Sequence, residues 1–218
     1  MKRFLHVILS AALVTLGSTE VMAIEEARYE VISKDGKFEI RDYASHVLAE
    51  TVVEGNLEDA GSKAFNRLFQ YISGNNKTRE TVAMTAPVSQ QPAGEKIAMT
   101  APVGQRRAGE NWVVSFMMPG KYTLETLPEP NDPLVTLRQV PPRTMAAVRY
   151  SGFWSEKNYR RNEAELEQWV AAKRLVVVGE AIWARYNAPF TPWFMRRNEI
   201  LLPVAAGAVL EDPSAPGR

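Results

Sequence analysis

Few residues in this chain are equipped for chemistry. It holds two histidines, His6 and His46, and no cysteine. Thiolate nucleophiles, disulfides and thiolate metal sites are therefore excluded. His46 is the imidazole outside the N-terminal segment, and it can supply one metal ligand or serve as an ordinary strand-end side chain. Met84 and Met99 hold matching places in a repeated hexapeptide, Ala-Met-Thr-Ala-Pro-Val, at Ala83–Val88 and Ala98–Val103. A thioether can bind a soft metal, but a methionine in a β-leaning run ordinarily fills core space. Glu50 and Glu54 share a strand face yet stand ~13 Å apart along it, which gives no acid–base pair. No catalytic serine motif and no glycine-rich phosphate loop is present, so an enzyme has little support.

The elements that must position these residues fall into two related halves. The first runs through Phe38–Arg41, Val47–Val53 and Gly55 to a helix. The second runs through Val135–Arg138, Met145–Tyr150 and Gly152 to another. Arg41 and Arg138, Ala49 and Ala146, and Gly55 and Gly152 share one offset, as an internal duplication would leave. Leu57, Ala60, Ala64, Leu68 and Ile72 form a helical stripe, with Asn56 as the cap and Gly74 as the stop. The second helix spans about Glu156–Lys173, capped by Ser155, with Tyr159, Leu166, Trp169 and Val170 inward. Further strands are expected at Trp112–Met118, Leu175–Tyr186 and Glu199–Val204. The two hexapeptides, with turn residues Ser89–Glu95 between them, predict a hairpin of Thr81–Thr85 with Lys96–Thr100. Strands outnumber helices, which gives an α+β domain with mostly antiparallel sheet.

Lys2 and Arg3, an apolar stretch Phe4–Leu16, and Val21-Met22-Ala23 look like an export signal covering 1–23. A domain over 24–205 and a loose tail over 206–218 follow. The apolar stretch is short for a membrane span, which takes about 20 residues. The expected location is the periplasm, with an uncleaved inner-membrane anchor as the alternative. Net charge is +1 with both signs interspersed, which argues against nucleic acid as a partner.

Ala83–Val88 after an amphipathic helix, and Tyr186-Asn187-Ala188-Pro189-Phe190-Thr191-Pro192-Trp193-Phe194 followed by Arg196-Arg197-Asn198-Glu199, resemble the SOUL / heme-binding-protein family. Tyr29-Glu30-Val31 and Phe38–Tyr43 fit that family's start. The resemblance implies duplicated β-α-β-β halves forming a distorted, mostly antiparallel β-barrel flanked by two helices, a fold shared with effector domains of the gyrase-inhibitory type. It also implies reversible binding of heme or another tetrapyrrole, for transport, buffering or sequestration, without catalysis. By position, an apolar groove would use Phe65, Leu68 and Phe69 on the first helix and Phe190, Trp193 and Phe194 on the loop. Lys63 and Arg67, four apart on the helix, can face propionates together. His46 is the candidate iron ligand, although the family position most often credited with ligation is Asp42 here. Ser62 and Gln70 replace two cations of the tetrapyrrole-binding relative. Arg196 and Arg197 suit a turn and strand start better than an anion site. Alternative functions are a module for another flat apolar small molecule, or an interaction scaffold without ligand.

Overall fold

The structure, a computed structural model, describes residues 24–78 and 94–205. The N-terminal segment 1–23, the first hexapeptide with Met84, and the tail 206–218 lie outside the described residues. In chain order the elements are β1 (Tyr29–Asp35), β2 (Phe38–Tyr43), β3 (His46–Val53), α1 (Leu57–Ile72), β4 (Asn76–Lys77), β5 (Val103–Ala108), β6 (Asn111–Met117), β7 (Glu129–Pro130), β8 (Thr136–Val140), β9 (Arg143–Tyr150), α2 (Glu156–Ala172), β10 (Ile182–Arg185) and β11 (Asn198–Pro203). Nine strands form one antiparallel sheet in the order β1-β2-β9-β11-β10-β5-β6-β3-β8, and β4 pairs with β7 separately.

That order contains the duplication. Exchanging β2 with β8, β3 with β9, β5 with β10 and β6 with β11 reverses it, leaving β1 as an addition. Each half thus runs β-β-α-β-β. The halves meet where β5 pairs with β10. The sheet curls into a half-barrel. Its two ends are drawn together by the connections Tyr43–His46 and Val140–Arg143, each of which passes from one end to the other.

Local chemistry explains the helices. The Asn56 side chain accepts hydrogen bonds from the Glu58 and Asp59 amides, and Ser155 accepts from Asn158. Gly55 (φ 118°) and Gly152 (φ 131°) precede these caps in equivalent places. Both helices cover one face of the sheet, where Val47, Ala49 and Val53 of β3 pack with Leu57, Ala60, Ala64 and Leu68 of α1. Alternation sends Leu48 to the opposite, concave face, with Met117 and Val140. Tyr43, Met145, Ala147, Ala184 and Leu201 line that face as well.

Two strand expectations need correction. Lys96–Thr100 forms no strand. Its Ile97 amide caps α1 through the Ile72 carbonyl at 2.8 Å, and the ladder starts at Val103. Of Leu175–Tyr186, Ile182–Arg185 is the strand. Val176 and Val178 instead make single backbone contacts to Ala205 and Pro203 across the end of β11. Branched side chains favour extended backbone there, and Val177 forms a lone antiparallel bridge with Val204, but the pairing goes no further.

Candidate functional site

The motif Tyr186–Glu199 builds a rigid loop between β10 and β11. Arg196 is its organiser. Its Nη2 donates to the Pro189 carbonyl at 2.7 Å and its Nε to the Thr191 carbonyl at 2.8 Å. Its guanidinium lies over the Trp154 ring, 4.2 Å from the centroid. The Arg197 amide donates to Asn187 Oδ1 at 2.6 Å. Gly152 donates its amide to the Trp193 carbonyl at 3.0 Å, which fixes the loop to the start of α2. Gly152 takes φ 131°, and a Cβ on it would meet Asn158 Nδ2 at 2.7 Å, so a larger residue would strain the backbone and displace Asn158.

Beneath the loop lies a buried ionic cluster. Glu199 is 0% exposed. It accepts from Arg41 Nη1 at 2.6 Å, from Arg197 Nε at 2.9 Å and from the Tyr186 hydroxyl at 3.0 Å. Burial alone would depress the Arg41 guanidinium, but its hydrogen bonds and charge contact with Glu199 raise its pKa above the ordinary arginine value. Burial, reinforced by the Glu199 charge, likewise raises the Tyr186 phenol. Burial pushes Tyr43 up to about 12. These phenols stay neutral and the carboxylate is matched by two guanidiniums, so the cluster is scaffold. Arg196 and Arg197 both serve the turn and strand start.

What the loop displays is apolar. Phe190 is 89% exposed, Phe194 60% and Met195 65%. Trp193 stacks on the exposed Phe153 at 5.2 Å between centroids and meets Phe194 edge-on at 5.6 Å. Phe194 and Met195 also border an open cleft of about 480 Å³. Lys34, Lys37, Arg41, Arg149, Arg196 and Arg197 line it, against Glu39 as its carboxylate. Arg149 is exposed and has no side-chain partner among the described residues. Lys34 pairs with Glu39 at 3.1 Å and Lys37 with Glu165, so Arg149 is the cation of this lining left to meet a carboxylate, and aromatic faces beside it suit a flat apolar body carrying one.

The helix residues lie elsewhere. Phe65 stacks on Phe69 at 5.9 Å and meets Phe116 edge-on at 5.2 Å, so Phe65 is largely packing while Phe69 stays exposed. Leu68 is fully buried in the core and belongs to packing. Arg67 donates to Thr51 Oγ1 at 2.8 Å and pairs with Asp132 at 3.2 Å. Lys63 is exposed with no partner among the described residues. The ring contacts of Phe65 and Phe69 do not extend to Trp193 and Phe194, so the two aromatic groups form separate patches.

His46 lines the concave hollow, on the sheet face opposite α1. It and the Phe65–Phe69 pair therefore cannot grip one ligand. Its Nδ1 bonds the Ala44 carbonyl at 2.9 Å. Burial, with Arg143 and Arg138 nearby, holds its pKa below the usual histidine value. Among the described residues no three histidine or carboxylate side chains group as a metal site, and no helix is long and apolar enough to cross a membrane. Met99 packs against the core. The sequence reading missed Arg143, which shares its offset with His46, and the exposed Phe153 that stacks on Trp193.

A family model described as SOUL heme-binding protein matches residues 24–203. No curated protein matches the sequence. Among solved structures, the C-terminal domain of EcmrR aligns with TM-score 0.54 and 11% identity, covering 81% of this chain and 98% of that one. A protein from Listeria innocua described as a hydrolase aligns with TM-score 0.53 and 14% identity, covering 80% and 94%. EcmrR in a DNA complex aligns with TM-score 0.56 and 12% identity, covering 77% and 56%. At these identities the likeness is one of fold.

Proposed function

We propose, for a chain that belongs to the SOUL heme-binding protein family, that it reversibly binds heme or a related tetrapyrrole against the aromatic loop, as a carrier or buffer in the periplasm. The observation that carries this reading is the outward display of Phe190, Trp193 and Phe194 beside a cleft that holds the unpaired Arg149. A macrocycle laid on these rings buries a large apolar area at little ordering cost, because Arg196 and Gly152 already hold the backbone. One propionate would meet Arg149, and the other would compete with Glu39 and Glu165 for the exposed Lys34 and Lys37. The Phe65–Phe69 patch is not needed for this mode, and neither is iron coordination by His46.

The test is a titration of heme into the chain beginning at Ile24. Saturable one-to-one binding with a shifted Soret band is expected, weakened about tenfold by Trp193→Ala, as loss of a ring contact worth ~1.4 kcal/mol would give. Unchanged affinity in Phe190→Ala, Trp193→Ala and Phe194→Ala would remove the loop as the site.

A further inference from the structure

The concave face holds a second, half-open hollow that shares no lining residue with the cationic cleft. Leu48, Met117, Met145, Ile182 and Leu201 make its walls. Gly104 and Ser115 make its floor, and a Cβ on Gly104 would stand 2.7 Å from Ser115 Oγ. A side chain at Gly104 would have to displace the Ser115 hydroxyl, so glycine here keeps the floor low. At the mouth, His46 is the first residue of β3 and Arg143 the first of β9, equivalent places in the two halves. Leu48 and Met145 follow two residues later in each strand. The hollow is therefore formed where the duplicated halves face each other.

Arg143 is the unexplained group. Its Nε is buried with no hydrogen-bond partner among the described residues. The neighbouring carboxylate, Glu50, is already taken by Arg138, which reaches both its oxygens at 2.7 and 2.8 Å, and Arg106 approaches at 3.9 Å. One carboxylate thus faces several guanidiniums, and Arg143 is left over beside apolar walls. A buried guanidinium nitrogen without a partner is costly, and a carboxylate is the group whose geometry relieves it, with one oxygen on Nε and the other on the adjacent Nη.

We infer that this hollow is a binding site for a small monocarboxylate with an apolar tail, its carboxylate on Arg143 and its tail between Leu48, Met117, Met145 and Leu201. The site goes beyond the tetrapyrrole reading and is independent of it, since it lies among different residues. Ala27 forms part of one wall. The segment before it is held by the Ala101 amide on the Glu25 carbonyl at 2.9 Å and by Glu26 on Arg197 at 2.7 Å, so the wall is fixed rather than loose.

The experiment titrates octanoate, octanol and octylammonium at constant ionic strength into the chain beginning at Ile24, without tetrapyrrole, following amide shifts by NMR. Octanoate is expected to saturate with shifts centred on residues 46–48, 104, 143–145 and 201. Octanol should bind at least about tenfold more weakly, and octylammonium not at all. Arg143→Gln should reduce octanoate to the level of octanol, with an unchanged melting temperature. Should that variant fail to fold, octanoate against octylammonium on the unaltered chain decides. Equal binding of the three probes, or octanoate shifts confined to residues 187–197, would overturn the proposal. Heme binding that persists alongside such a failure leaves the loop reading standing. Octanoate binding with no heme binding leaves the hollow standing.

Discussion

The two hairpins that meet at the centre of the sheet occupy equivalent places in the duplicated halves and have been put to different use. Between β5 and β6, Ala108 pairs with Asn111 and the chain turns on Gly109 and Glu110 alone, Gly109 taking φ 64°. Such a turn matches strand twist and does nothing further. Between β10 and β11, the last ladder pair is Arg185 with Asn198, and the whole of Tyr186–Arg197 projects beyond it. That projection carries the exposed rings, and the strand behind it carries the buried Glu199. Duplication gives two copies of a scaffold, and a difference between them cannot be a requirement of the fold. The long loop is therefore where function is to be sought.

The largest expected effect tests whether the second hairpin depends on its ionic anchor. Glu199→Ala leaves the buried Arg41 with Glu39 alone and the part-buried Arg197 with Glu26 alone, and should cost ~3 kcal/mol. At roughly 2–4 °C per kcal/mol for a domain of this size, melting would fall by roughly 10 °C. Glu110→Ala, at the tip of the first hairpin, should change stability by less than ~0.5 kcal/mol. Similar melting temperatures for the two variants would erase the distinction.

Next in size is the removal of the difference itself. The Tyr186 amide already bonds the Arg197 carbonyl at 3.3 Å, so replacing Asn187–Arg196 by Asn-Gly should close a short hairpin like the first. The chain should still fold, and heme affinity should drop about a hundredfold, the equivalent of ~2.7 kcal/mol. Retained affinity in a folded variant would move the site away from the loop.

Much of this scaffold was legible in the sequence because its signals are local or repeated. Asn56 and Ser155 mark helix starts by side-chain chemistry that acts within three residues. Gly55 and Gly152 mark the same bend twice, which is how the duplication shows itself. The pairing of Arg41 with Glu199 was not legible, since these residues meet only after the sheet assembles. For the same reason Leu68 and Phe65 looked available to a ligand: helical spacing shows a stripe but not how much of its flank Phe116 covers. The three loop aromatics stood out by type and order. Their rigidity rests on Arg196 reaching back to carbonyls, which no residue pattern displays. Arg143 escaped notice because a cation at a strand start signals nothing until its neighbours are seen to be taken.

Arg196→Ala sharpens the comparison at smaller scale. It keeps every displayed ring but removes two hydrogen bonds from a charged donor and the stacking on Trp154. Heme affinity should weaken about tenfold, ~1.4 kcal/mol, through loss of preorganisation. Amide exchange should rise across residues 187–196, while β5–β6 amides stay as they were. An unchanged exchange pattern would show that the loop holds its shape without this clamp.

The smallest effect concerns the equivalent strand starts of the two halves, His46 and Arg143. Burial, together with the charges of Arg143 and Arg138, lowers the folded-state pKa of His46, whereas the unfolded chain titrates this group near ~6.5. As pH falls below that value, the unfolded chain binds the His46 proton before the folded chain does. Stability must then decline on acidification, and the contribution is fully present only above ~pH 7. His46→Gln removes that proton uptake. Its urea midpoint should therefore fall less between ~pH 7.5 and ~pH 5.5 than that of the unaltered chain. If both lose the same stability over this interval, the imidazole is not held neutral by its place in the hollow, and the positive field ascribed to Arg143 at that strand start is too weak to matter.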